Sequence, residues 1–452
     1  MANTCRLLIL MILSSVFFIS GVAYAQSSSD SYYPEFPVDR DADMMYSEPA
    51  ANFSSKGIQY GGWITPSFIM RGIKGDSTSL SIIMLRLWAK SYLWNDAYVY
   101  VRAKNTLLLP IDYSGYKTKN IFDLDLGFFD MQFLNKSLHI ELGRKYFFLG
   151  TGLVLNGRAD GGDFSFHTKY VDIRAFVAYT GLLNKDDNPY NLSSADYSDG
   201  AKRLFAGGSL ATNLLTNHNI YLFGVNQSDF GDNEDQDYNS LYIGLGAKGY
   251  LFGRMSYYAE GVYETGKSYT RSLPHTKKTI QAFAINTGLD YRINAATSPS
   301  VLVQYAFGSG DGDRNEAASP AGNDRGNDTG FLSFGTFNGG YGLNPVIGNL
   351  HTIRVGFALN PLETLESKFF NRMTFIGKYS VYLKDKAEGN INAGEAKQDN
   401  AMVGHGIDAS LRWMILSDLS FFMNYGMFIP GDAFPSEEKN RHFVLTGLNL
   451  SF

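Results

Sequence analysis

The side chains that could do chemistry in this 452-residue chain are mostly charges at alternate positions. Arg102 and Lys104 are two apart, as are Asp290 and Arg292; Arg86 and Lys90, and Glu260 and Glu264, are four apart. In an extended chain such spacing puts both members of a pair on one face. A face lined with fixed charge sorts ions by sign and needs no covalent step. The groupings that covalent or metal chemistry requires are missing. The seven histidines, His139, His167, His218, His275, His351, His405 and His442, do not pair at metal-ligand spacing. His405 and Ser410 have opposite parity, and Ser137 with His139 is a commonplace two-apart pair, so no Ser–His dyad stands out. The run from Gly244 to Gly249 matches G-x-G-x-x-G but sits inside an alternating segment with no strand-to-helix context. Asp311, Asp313 and Asn315 start like a calcium loop, yet Glu316 stands where its glycine should be and the twelfth position is not Glu. No enzyme, cofactor or metal site is expected.

The elements that position the charges come from hydrophobic periodicity. After about residue 56 almost every segment alternates apolar and polar residues with period two, the signature of a strand with one greasy and one polar face. The expected strands are 57–72, 78–93, 95–108, 120–134, 137–147, 162–168, 170–180, 202–213, 217–228, 238–252, 254–268, 279–294, 298–309, 348–360, 370–385, 401–416, 418–429 and 441–452. Tiny connectors at Trp94–Asn95, 134–136, Lys169, Gly253 and 416–418 fall on one side. Long polar ones at 184–201, 229–237, 310–347, 385–400 and 430–440 fall on the other. About eighteen strands with both ends of the chain on the short-turn side predict an all-β fold: a closed, single-chain, antiparallel transmembrane β-barrel over 57–452, integral to a Gram-negative outer membrane.

Parity then assigns faces, because an Arg or Lys facing lipid at mid-bilayer costs about 2–4 kcal/mol. The expected inward bases are Arg86, Lys90, Arg102, Lys104, Lys145, Arg174, Lys248, Arg292, Arg354, Arg372, Lys378 and Arg412. The inward acids are Glu141, Asp163, Asp172, Glu260, Glu264, Asp290 and Asp408. The bases outnumber the acids although the whole chain carries a net charge of -5, so the excess acid is assigned to outer loops such as 229–237. Tyr98, Tyr100 and Tyr258 would face inward, where their rings could stack on sugars.

Composition agrees with a barrel: 33 Phe, 29 Tyr and 47 Gly suit interfacial girdles and tight turns. Arg6, the apolar run 7–21 and Ala23-Tyr24-Ala25 read as a signal peptide over 1–25. Residues 26–56 read as a flexible polar periplasmic leader. Cys5 is the only cysteine, so no disulfide framework is expected. At the far end Val444, Thr446, Leu448, Leu450 and Phe452 share one face. This alternation ending in Phe is a closing-strand signal for the barrel assembly machinery. The other expected partners are outer-membrane lipids, lipopolysaccharide and an anionic or carbohydrate solute, with no nucleic acid.

Three passages resemble the alginate-export family of outer-membrane barrels. The first runs Ile140, Glu141, Leu142, Gly143, Arg144 and Lys145, then 149–155 and 158–166. The second runs from Gln304 to Asp311, followed by Asn349, Leu350 and His351. The third runs from Tyr425 to Phe434. The resemblance implies an eighteen-stranded barrel with an electropositive lumen for an acidic polysaccharide, and places Arg144, Lys145 and Arg158 on the conduit wall or its mouth. Strict parity turns Arg144 toward lipid, so Arg144, and Arg158 with it, are expected at the rim or beside a bulge. The longest periplasmic turn, near 361–367, is too short for the plug carried by the family's polymer exporter. The function expected is a channel with a basic lumen passing anionic solutes. The alternatives are a general porin or structural barrel blocked by the 310–347 loop and, behind that, a barrel lipid hydrolase.

Overall fold

The computed structural model describes residues 57–73, 76–94, 97–111, 117–182, 201–215, 217–231, 236–367 and 369–452. The expected signal peptide and leader, Asn95, most of 184–201 and the middle of 229–237 lie outside the described residues. The strands are β1 (Ile58–Ile73), β2 (Asp76–Tyr92), β3 (Tyr98–Pro110), β4 (Lys119–Phe133), β5 (Leu138–Leu149), β6 (Leu155–His167), β7 (Val171–Tyr179), β8 (Arg203–Leu215), β9 (His218–Asp229), β10 (Asn239–Leu251), β11 (Met255–Tyr269), β12 (Lys277–Arg292), β13 (Ser300–Gly308), β14 (Leu350–Leu359), β15 (Met373–Leu383), β16 (Met402–Met414), β17 (Leu419–Pro430) and β18 (Arg441–Ser451). Each pairs antiparallel with its sequence neighbours, and β18 returns to β1 through Trp63 opposite Ser451 and Gly72 opposite His442. Closure leaves no sheet edge, which a bilayer requires because lipid cannot satisfy a bare backbone amide.

The faces follow the period of two. On β14, Ile353, Val355 and Phe357 are 44–48% exposed outward, while Thr352 and Arg354, on either side of Ile353, are each 1% exposed. On β18 the expected closing residues take the outward positions, with Leu450 and Phe452 exposed, and Phe443 and Asn449 turn inward. Strand number and direction are as expected. The sixth strand starts earlier than expected, at Leu155 rather than 162.

Two local departures shape the interior. Asp123 and Asp125 are buried at odd positions of β4, whereas Leu126 and Asp130 are buried at even ones. One strand can turn all of these inward only by switching parity once. It does so at Asp125, an extra residue between Leu126 (opposite Arg102) and Leu124 (opposite Ala103), as a β-bulge allows. The second departure is at Gly143, whose φ of +127° sits where a Cβ would meet the Gly127 carbonyl oxygen at 2.3 Å. Pairing of β5 with β4 stops one residue later, at Arg144, and pairing of β6 with β7 starts only at Asp160. Residues 145–159 therefore pair with neither β4 nor β7, and their hairpin leaves the wall and enters the lumen.

The hairpin tip reaches β11, where Glu260 accepts hydrogen bonds from the Thr151 amide (2.8 Å) and hydroxyl (2.7 Å). The connector 309–349 also folds inward. Phe334 packs edge-on against Phe205 and Tyr242, and Leu155 bridges to Phe334. Tyr341 stacks on Phe443 of the far wall and donates its amide to Asp408 at 2.9 Å. Phe331, Leu332, Phe334, Leu343 and Ile347 join Phe147, Leu153, Tyr242, Tyr382 and Phe428 in one buried apolar cluster inside the barrel.

Gly143→Val should cost at least about 1–3 kcal/mol in backbone strain alone and more from the clash, and should sharply lower the heat-modifiable folded fraction on gels. Gly261→Ala, with open space around its Cβ, should be near neutral in the same assay.

Candidate functional site

The largest grouping of charge lies where β2, β3 and β4 meet the base of the inward hairpin. Asp125 is at its centre. It accepts from Arg102 Nε at 2.6 Å and Arg158 at 2.6 Å, and Arg86 Nε is 3.1 Å away. Asp123 takes Arg158 at 2.6 Å, with Arg144 at 3.7 Å and Lys104 Nζ at 3.8 Å. Arg144 forms a two-pronged pair with Asp160, at 2.9 and 2.7 Å. Five cations thus surround three carboxylates, nearly all shielded from bulk water. The bulge at Asp125 and the bend at Gly143 bring the two groups of charge onto one inner surface. The Arg86 and Arg102 guanidinium groups also lie 5.7 and 5.5 Å from the Trp63 ring, which adds cation–π attraction.

Arg144 and Arg158 were expected on the conduit wall or its mouth, with Arg144 at the rim or beside a bulge. The structure sets both within the inner wall, and the backbone bend at Gly143 turns Arg144 and Lys145, adjacent in sequence, both inward. Four inward acids were absent from the parity assignment: Asp123, Asp125, Asp130 and Asp160. The run Phe122–Asp130, with aspartates at both parities, is the signal that could have revealed the bulge. The expected surplus of base is correspondingly smaller.

The remaining expected residues fall into separate groups. Lys145 bonds Glu141 and, at 2.9 Å, Asp163, which also takes Arg174 at 2.5 Å. Asp172 lies near the short-turn end with His167 at 3.0 Å. Lys90 Nζ sits 3.8 Å from the Tyr98 ring. Arg354 donates to Gln304 (2.9 Å) and Ser380 (3.1 Å). Lys378 stands opposite Asp408 in the register, and Asp290 is buried on β12. Arg412 lies over Phe422. Lys248 and Arg292 are exposed on the inward side, and Arg372 is exposed just outside β15. Glu260 and Glu264 do not line a passage. Glu260 holds the hairpin tip, and Glu264 takes the Leu332 amide at 3.0 Å and the Tyr238 hydroxyl at 2.5 Å. Tyr100 and Tyr258 are buried, so their ring faces are covered and cannot stack on a sugar; Tyr98 is half-buried beneath Lys90.

Asp130, His139 and Glu141 bring donor atoms within 4.8 Å of one another, a set that could hold a transition metal. His139 already bonds Asp130 at 2.7 Å, and the Lys145 ammonium occupies Glu141. A metal would have to displace that ammonium, so the group works as part of the ion-pair ladder. The calcium-like start is likewise used internally: Asp311 accepts from Asn323 and from the Thr329 amide, both at 3.0 Å.

Removing Asp125 takes the nearest counter-charge from Arg86 and Arg102 in a low-dielectric setting and leaves Arg158 with Asp123. Asp125→Ala should cost about 3–5 kcal/mol in urea unfolding from lipid vesicles. Asp172→Asn, at a more solvated pair, should cost less than about 1 kcal/mol.

Comparison with known proteins places this architecture. The barrel superimposes on OccK8 (OprE) of Pseudomonas aeruginosa with a TM-score of 0.58 at 11% identity, covering 87% of this chain and 98% of that one. OccAB1 of Acinetobacter baumannii gives 0.57 at 12% identity, covering 90% and 100%. The outer membrane protein OprD of P. aeruginosa gives 0.52 at 14%, covering 87% and 94%. At these identities the likeness is one of fold. No curated protein matches the sequence. The family model for alginate export matches residues 201–444, more than half of the chain. The chain therefore belongs to the alginate-export family and is an integral, channel-type β-barrel of the Gram-negative outer membrane.

Proposed function

We propose that this barrel passes small anionic solutes, carboxylated sugars among them, along the inner wall of β2–β6. The observation that carries this reading is the local charge: Arg86, Arg102, Lys104, Arg144 and Arg158 against Asp123, Asp125 and Asp160. The residual positive charge is held rigid by its own ion pairs, and low-dielectric walls concentrate its field. An anion passing along this wall is favoured by its field without contact to the buried donors, while a cation meets a barrier. The inward hairpin and the 309–349 connector narrow the lumen, so the passage suits small solutes. A long polysaccharide would need that connector to move.

A second reading has its own support: the connector's apolar cluster closes the barrel at rest, and conduction follows its release. Asp313 bears on this. Burial and the neighbouring Asp311 carboxylate push it up to about 6 from 3.8. A carboxyl whose value is raised in the docked connector takes up a proton on docking. Docking should therefore strengthen as pH falls through about 6 and gain no more below about 4.

Swelling of proteoliposomes in galacturonate and in galactose tests the main reading. Wild type should admit the uronate faster, and combined Arg86→Gln, Arg102→Gln and Arg158→Gln should cut that rate about fivefold or more while sparing galactose. Equal rates in wild type would sink it. For the second reading, swelling should be slower at pH 5 than at pH 7.5. Asp313→Asn should remove that difference by holding the rate at its acidic value.

A further inference from the structure

At the long-loop end of the lipid-facing wall one contact recurs three times. The Tyr305 hydroxyl lies 2.9 Å from His351 Nδ1, Tyr379 lies 2.7 Å from His405 Nδ1, and Tyr425 lies 3.0 Å from His442 Nδ1. Each pair joins the two strands of one outer hairpin: β13–β14, β15–β16 and β17–β18. Each is diagonal rather than directly opposite, because Tyr305 faces Ile353, Tyr379 faces Ile407 and Tyr425 faces Val444 in the register. All six residues sit at outward positions, alternating with buried neighbours. All three histidines lie within a few residues of the long-loop end of their strands, above exposed Ile353, Val355, Phe357 and Ile407. The pairs stand two strands apart, about 10 Å at ordinary strand spacing.

Aromatic side chains near strand ends suit the level at which hydrocarbon gives way to headgroup. A phenol donating to Nδ1 leaves the proton of a neutral imidazole on Nε2, so the pair presents an N–H beside a flat aromatic body. Among the described residues His405 and His442 have no further side-chain hydrogen bond or ion pair, whereas His351 has Asp385 at 3.8 Å and Lys386 lies beside that carboxylate at 3.5 Å. We propose that these three Tyr–His pairs form a docking belt on β13–β18 for the phosphate groups of an outer-leaflet glycolipid. The donors suit phosphate oxygens, and the ring faces suit the first methylenes of the acyl chains. The inference rests on the outer-membrane placement and not on the solute the lumen passes.

The test uses the full barrel in phosphatidylcholine nanodiscs titrated with lipopolysaccharide, or with the same lipid stripped of its phosphates, read by native mass spectrometry. Wild type should retain the phosphorylated form at least fivefold better than the stripped one. Combined His351→Ala, His405→Ala and His442→Ala should lose that preference while remaining heat-modifiable and leaving conductance unchanged. His218→Ala should retain it, because His218 pairs with Tyr257 at the opposite, short-turn end of the wall. Equal retention of both lipids by wild type, or full retention by the triple variant, would overturn the proposal. So would a trimeric wild type that the triple variant converts to monomers without any dependence on lipid, since copies of the chain would then cover the belt.

Discussion

Lipid offers neither a hydrogen bond nor a counter-charge, and that constraint organises this molecule. It demands closure of β18 on β1, and it forces every mid-strand charge to turn inward. On β4 the demand meets a sequence with aspartates at both parities. The chain answers with an extra residue at Asp125 rather than exposing a carboxylate to hydrocarbon. The bulge is thus a result of where charge is allowed to sit, and it creates the centre of the charged wall.

Once charges are crowded inward they must satisfy one another. Arg102, Arg158 and Arg86 converge on Asp125, and Arg144 locks onto Asp160. The hairpin that brings Arg158 and Asp160 there leaves the wall because Gly143 allows a backbone that other residues resist. Its tip and the 309–349 connector then fill much of the outer lumen, held by Glu260 and Glu264. Gly335 sits where a Cβ would meet the Gly152 carbonyl oxygen at 1.9 Å, so the two inward elements approach as closely as backbones can. Two acids expected to oppose the basic lining serve instead to tie the constriction to the wall.

Much of the barrel was legible in the sequence because period two is a strong local signal. The facing of Phe283, Ile285 and Leu289 against Asn286 and Asp290 follows directly from it. What parity could not deliver is where parity breaks. Arg144 was placed at the rim or beside a bulge because a strand without a bend puts it in lipid, and period two cannot say which; the bend at Gly143 decides it. Asp123 and Asp125 went unassigned because the bulge that turns them inward depends on pairing with β3. The inward fold of 309–349 entered only as an alternative, a barrel blocked by the 310–347 loop, for a related reason. Its apolar residues, such as Phe331 and Phe334, have no period and find their partners on strands far away in sequence.

The fixed charge of β2–β6 either governs what crosses the barrel or serves the fold alone. The most direct measurement is the zero-current potential of the purified protein in a planar bilayer under a tenfold potassium chloride gradient. The account predicts a potential whose sign reports chloride crossing more readily than potassium. A potential of the opposite sign, or none, would mean that the ion pairs neutralise the wall and that its charge serves the fold alone.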